Sequence, residues 1–176
     1  MAQASVVERA IGAARLDPRA YEDVERDEAA TGTALAIVVL SAIASGIGNL
    51  GNDGVIGLVG GVVFGVIGFV LYAGIAYLVG AKLFATAETS ATWGQLIRTL
   101  GFAQAPGILY VLGILPAVGG LIRFIVGVWI LVATIVAIRQ ACDFSTGRAV
   151  LTAVVAWIIY LIFVVLPAAL LALLVG

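Results

Sequence analysis

Residues 54–84 read GVIGLVGGVVFGVIGFVLYAGIAYLVGAKLF, and the first charge in that run is Lys82. At about 1.5 Å per residue, an α-helix of this length extends about 45 Å. The hydrocarbon core of a bilayer is about 30 Å thick. The run therefore reads as a membrane-spanning helix longer than one crossing requires. It must tilt, extend beyond the core, or break, with Gly60-Gly61 the natural place for a break. Gly57, Gly61 and Gly65 recur at a spacing of four. Small residues at that spacing let a second helix come close, either inside the same bundle or across a seam between two copies.

The rest of the chain has the same character. Of its 176 residues 63% are hydrophobic and 11% charged, and the mean hydropathy is +1.21. Soluble domains sit near half apolar and a quarter charged. Four further apolar runs flank the first: about Thr33 to Leu50, a short one from Pro106 to Val118, about Leu121 to Ala141, and about Arg148 to Val175. The run from Pro106 is too short to cross alone, since a span needs about 17–25 residues. It must borrow residues upstream, which predicts a kinked or broken third span around Gly101 and Pro106, ending at Pro116. Upstream of it, Trp93, Leu96, Ile97 and Leu100 alternate with polar residues and read as an interfacial amphipathic segment. The expected fold is an all-α integral membrane protein. It is a five-span helical bundle with one over-long span and one broken span, plus short N-terminal helices.

Residues 1–30 form a separate charged tail ahead of the membrane domain at 31–176. It holds four arginines against seven acidic residues. Ser5 followed by Glu8 is a capping-box pattern, and Asp17-Pro18 breaks one helix and starts another. A signal peptide is not expected, because the mixed charges separate the start from the first apolar run. With the tail in the cytoplasm, its four arginines, Lys82, Arg98, Arg139 and Arg148 all fall on that side, and Arg123 alone on the other. This satisfies the positive-inside rule and predicts an N-in, C-out protein.

The chemistry is bounded mainly by what is missing. Histidine is absent and Cys142 is the single cysteine. That excludes histidine-dependent triads, histidine metal sites and an internal disulfide. The glycine run at 57–61 lacks the Lys-Ser/Thr that completes a phosphate loop. No catalytic group, metal site or cofactor is expected, and the net charge of -1 gives no nucleic-acid footprint. Arg98, Gln104, Arg139, Asp143 and Arg148 fall at expected cytoplasmic ends of spans three to five. They are candidate contacts for a protein partner or an anionic lipid headgroup, with boundary anchoring and helix capping as the ordinary alternative. Arg139 and Asp143 are spaced to pair if their helix continues. Arg123 is a candidate headgroup or anion contact, or a side chain that snorkels to the interface.

Two segments resemble the Yip-one domain family in its prokaryotic form. One is Arg98-Thr99-Leu100-Gly101-Phe102-Ala103-Gln104-Ala105-Pro106, opening the third span. The other runs from Trp129 through Arg139-Gln140-Ala141-Cys142-Asp143-Phe144-Ser145-Thr146-Gly147-Arg148-Ala149. The resemblance covers roughly residues 30–176 and the short tail. It implies a small five-span protein with N-in, C-out topology, whose eukaryotic relatives interact with Rab-type GTPases. The expected function is a non-enzymatic membrane scaffold or trafficking-type adaptor of a prokaryotic plasma membrane. Its expected partners are membrane lipids, a protein on the cytoplasmic face, and a second copy of the chain. The alternatives are a transporter, channel or lipid-handling protein, favoured by helix breaks that often line binding sites, and an accessory subunit of a larger membrane complex.

Overall fold

The computed structural model describes residues 5–87 and 89–175. Glu88 of the second polar connection lies outside them, as does the side chain of Asp53. The described residues contain helices and no strand.

Two short helices come first. Helix α1 (Val6–Ala14) opens with the capping box: Ser5 Oγ accepts from the Glu8 N–H, and Glu8 accepts from the Ser5 N–H. Helix α2 (Pro18–Arg26) is capped by Asp17 with Pro18 in the first turn. Between them Leu16 takes a left-handed conformation, φ 63°. There the Leu16 and Asp17 N–H groups close back onto the Ala13 and Gly12 carbonyls. That is the Schellman termination of a helix, made here without glycine. Tyr21 and Val24, the two larger apolar side chains of α2, are fully buried. They pack onto the membrane domain, so the charged tail is folded against the bundle. On α1, Arg9 and Ala13 turn inward while Val6, Val7 and Ile11 stay exposed.

Five apolar helical segments are long enough to cross a membrane: Ala30–Gly48, Gly54–Leu83, Trp93–Ile114, Gly119–Ala141 and Thr146–Leu171. The first is α3 (Ala30–Gly48). Helix α4 (Leu50–Leu78) follows after a single residue and is interrupted at Gly54, where φ is 63°. A side chain rarely adopts that φ, which is why glycine stands there. Helix α4 runs on into a π-helical turn, Val79–Leu83. The third span is α5 (Trp93–Ala103) followed by a 3₁₀ segment, Ala105–Ile114. Helix α6 is Gly119–Ala141. The fifth span is α7 (Thr146–Tyr160), a π turn at Leu161–Val165, and α8 (Leu166–Val175). The wider turn lies just ahead of Pro167, which has no N–H for a regular helical bond.

Leu96 to Ala103 are buried without exception. The segment read as amphipathic is therefore enclosed by the rest of the protein and opens the third apolar helical stretch. Gln95 and Arg98 bond to the folded tail, while the Thr99 hydroxyl donates back to the Gln95 carbonyl of its own helix.

The centre of the bundle is the contact of α3 with α5 and the 3₁₀ segment. Gly101 lies against Ala34, Gly107 against Ser41, and Gly48 against the Tyr110 carbonyl, all too close to admit a side chain. The exterior is apolar: Ile56 is 90% exposed, Phe64 75% and Phe163 72%. Continuous apolar surface on this scale belongs in lipid. The chain is an integral membrane protein.

Candidate functional site

The end of the bundle that carries α1 and α2 gathers most of the charged groups. Arg98, in the middle of α5, is only 6% exposed. Its Nε donates to the Val24 carbonyl at 3.0 Å and the Glu25 carbonyl at 3.2 Å. Nη2 donates to the Glu25 carbonyl as well, and Nη1 to Thr31 Oγ1 at 3.5 Å. Val24 and Glu25 lie in the last turn of α2, where carbonyls lack helical partners and the helix dipole is negative. A planar cation with a fixed fork of donors satisfies both conditions. Arg98 thus holds the tail from inside the bundle.

Neighbouring groups extend this contact. Thr92 and Gln95 form the capping box of α5, and the Gln95 amide also donates to Glu25 Oε1 at 2.9 Å. The Trp129 indole N–H donates to the Ala14 carbonyl at 2.7 Å, and Tyr21 Oη donates to the Ala13 carbonyl at 3.0 Å. Arg9 pairs with Asp27 at 2.6 Å. The hydrogen bond from Arg9 holds the Asp27 carboxyl below its ordinary range. Burial pushes the Glu25 carboxyl up, and the negative charge of Asp143 adds to it.

The other candidate residues at this end are Arg139, Asp143 and Arg148, all exposed. Helix α6 stops at Ala141, and Asp143 adopts φ 53°. The Asp143 and Phe144 N–H groups return to the Gln140 and Arg139 carbonyls, a second Schellman termination. Because the helix does not continue, the expected Arg139–Asp143 ion pair is not among those formed by the described residues. Arg148 donates to the Phe84 carbonyl at 3.4 Å and lies 5.5 Å over the Phe144 ring. Ser145 caps α7, its hydroxyl accepting from the Arg148 N–H. Cys142 is fully buried beside this turn, and burial pushes its thiol up to about 12.

Arg123 and Gln104 are placed elsewhere. Arg123 is at the opposite end, where its Nη1 donates to the Gly48 carbonyl at 3.1 Å, Asn49 Oδ1 at 3.0 Å and the Gly113 carbonyl at 3.4 Å. Gln104 lines a cavity midway along the bundle. Pro106 is buried in the first turn of the 3₁₀ segment, and Pro116 is exposed in the turn before α6. Gly65 meets Ala42 of α3 at 3.4 Å, while Gly61 has open space around it. No group of side chains suited to hold a metal ion occurs among the described residues.

The Yip1 domain family profile matches residues 15–167. The chain belongs to the Yip1 domain family. No curated protein and no solved structure matches it. The match begins at Arg15 and ends at Pro167, and so takes in α2, the first four spans and most of the fifth. In this Yip1 domain protein the tail contacts Val24, Glu25, Gln95 and Trp129 went unnoticed in the sequence. Tyr21 and Val24, three residues apart on one face of α2, are the signal that could have found its buried side.

Proposed function

We propose that this Yip1 domain protein is a non-enzymatic membrane scaffold or adaptor, whose partner docks on the folded tail. The observation that carries the reading is the buried guanidinium of Arg98 on the α2 carbonyls. It makes the tail a fixed surface rather than a loose leader. Outward from that clamp, Arg15, Asp17, Arg19, Asp23, Arg26 and Glu28 are exposed. They form a mixed-charge face suited to steering and selecting a protein partner. Arg139, Asp143 and Arg148 border it from the α6–α7 turn. Eight of the nine basic residues belong to this end or to the tail, which favours a cytoplasmic position in a prokaryotic plasma membrane. The exposed Val6, Val7 and Ile11 of α1 suit a helix resting its outer side in the lipid interface.

The test is chemical cross-linking in native membranes, comparing the full chain with the charge reversal Asp23→Lys, Glu28→Lys. These side chains are exposed, so the fold and elution volume are expected to persist while specific cross-linked partners are lost. Partners retained both by this variant and after removal of residues 1–30 would exclude the tail as the docking surface.

A further inference from the structure

Midway along the bundle lies a cavity of about 380 Å³. Its polar lining comes from every span: Ser41 and Ser45 of α3, Tyr72 of α4, Gln104 at the junction of α5 with the 3₁₀ segment, Thr134 of α6 and Tyr160 of α7. All but Ser45, which lies in the last turn of α3, are near the centre of their own spans. The cavity is therefore at the middle of the hydrocarbon layer, where an unpaired polar group is costly. None of these six side chains has a hydrogen-bond partner among the described residues. Ser41 and Thr134 are each only 6% exposed. Yet no oxygen or nitrogen of the six is among the sealed, unsatisfied atoms of the bundle. Each of these polar atoms therefore keeps accessible surface, on residues that line the cavity. The two tyrosines brace each other across it, ring centroids 6.0 Å apart and nearly perpendicular.

Three features define what fits. No charged side chain lines the cavity, so an ionic headgroup would enter without a counter-charge, at a cost of several kcal/mol. Hydroxyls and a carboxamide both donate and accept, which matches hydroxyl and carbonyl oxygens. The mouth is flanked by Leu131, 51% exposed, and Trp157, 54% exposed, on the lipid-facing sides of α6 and α7. The occupant arrives from the bilayer, and its chain can remain there. At about 30 Å³ per water-sized group, the space takes roughly a dozen non-hydrogen atoms. That is the size of a glycerol with two ester carbonyls.

We propose that the cavity binds the uncharged head of a glycerol-type neutral lipid, with its acyl chains leaving between α6 and α7. The site is independent of the tail surface and of any partner there.

The experiment reconstitutes the full chain in phosphatidylcholine nanodiscs with a diacylglycerol bearing a diazirine close to its ester group. Adducts are mapped after illumination. They are expected on cavity residues such as Tyr72, Thr134 and Tyr160, and are displaced by unlabelled diacylglycerol but not by phosphatidic acid. The near-isosteric variant Ser41→Ala, Thr134→Val, Tyr160→Phe is expected to lower cavity labelling by about tenfold, with unchanged elution volume. A cavity holding only water would leave adducts spread over lipid-facing residues such as Phe64 and Phe163, and that overturns the proposal. So does equal displacement by phosphatidic acid, or a folded variant that labels like the parent. The adduct map and the competition use the unaltered protein, so they decide the matter even if the variant fails to fold.

Discussion

The guanidinium of Arg98 is hydrogen-bonded to the backbone carbonyl of Val24, 74 residues earlier in the chain. A long-range contact of this kind, made by a buried cation to main-chain oxygens, is sensitive to the shape of the donor group. Arg98→Lys keeps the charge but cannot reach two carbonyls and Thr31 at once. Both Arg98→Lys and Arg98→Ala are expected to weaken tail docking by about 2–3 kcal/mol, a roughly 30- to 150-fold rise in the undocked fraction. Limited trypsin cleavage at Arg15, Arg19 and Arg26 measures it. Cleavage of Arg98→Lys no faster than the parent would mean the clamp does not hold the tail.

Docking is expected to depend on pH through two carboxyls of opposite sign. The Asp27 carboxyl is lowered from its ordinary 3.8, so its contribution is in place above that value and is lost as pH falls through the lowered one. The Glu25 carboxyl is raised from its ordinary 4.5. Its contribution is complete below 4.5 and is lost as pH rises through the raised value, when a charge forms in a partly buried place near Asp143. At neutral pH, Glu25→Gln should therefore tighten docking and Asp27→Asn should loosen it. Fluorescence of Trp129, with Trp93 and Trp157 replaced by phenylalanine, reports both. A Glu25→Gln variant docked less firmly than the parent at neutral pH would refute the assignment.

Cys142 provides a built-in measure of folding. Its thiol is raised from 9.0 to about 12, so at mildly alkaline pH the reactive thiolate is about a thousandfold scarcer than for an ordinary cysteine. Iodoacetamide should label it quickly in denaturant and scarcely at all in the native protein. Equal rates in the two states would contradict its burial.

The glycines divide into two groups with opposite expected outcomes. A methyl group at Gly48 would collide with the Tyr110 backbone, and Gly48→Ala should lower stability by about 1–3 kcal/mol. Gly61 has nothing within 4 Å, and Gly61→Ala should be neutral or raise stability by up to about 1 kcal/mol through helix propensity. Thermal unfolding in mild detergent distinguishes the two. Gly61→Ala lowering stability only at protein concentrations where dimers form would reveal a seam between copies.

Much of the architecture was legible because it rests on local patterns. Apolar run lengths marked the five spans, and Ser5 with Glu8 and Asp17 with Pro18 marked helix starts through short-range hydrogen bonds. What was not legible depends on partners far away in sequence. Trp93 to Leu100 has the alternation of a surface helix, and only the tail, some seventy residues earlier, explains why its polar side is covered. The repeat at Gly57, Gly61 and Gly65 drew notice, whereas Gly48, Gly101 and Gly107 make the close contacts. Spacing along one helix does not say which side its neighbours occupy. The cavity was not legible: Gln104 reads in sequence as part of a cytoplasmic end, and scattered serines and tyrosines in apolar spans give no sign of converging.

The 74 residues between Val24 and Arg98 also set a schedule for synthesis. At about 5–20 residues per second, a ribosome needs roughly 4–15 s to pass from one to the other. During that interval two spans have been made while the side chains that will bury Tyr21 and Val24 do not yet exist. The nascent tail therefore spends seconds with its inward face uncovered, open to any chaperone or insertion factor near the tunnel exit. Arresting translation before and after α5 emerges, and comparing protease cleavage of the tail, measures that interval. Protection already complete before Arg98 is made would show that α2 is sheltered by something other than α5.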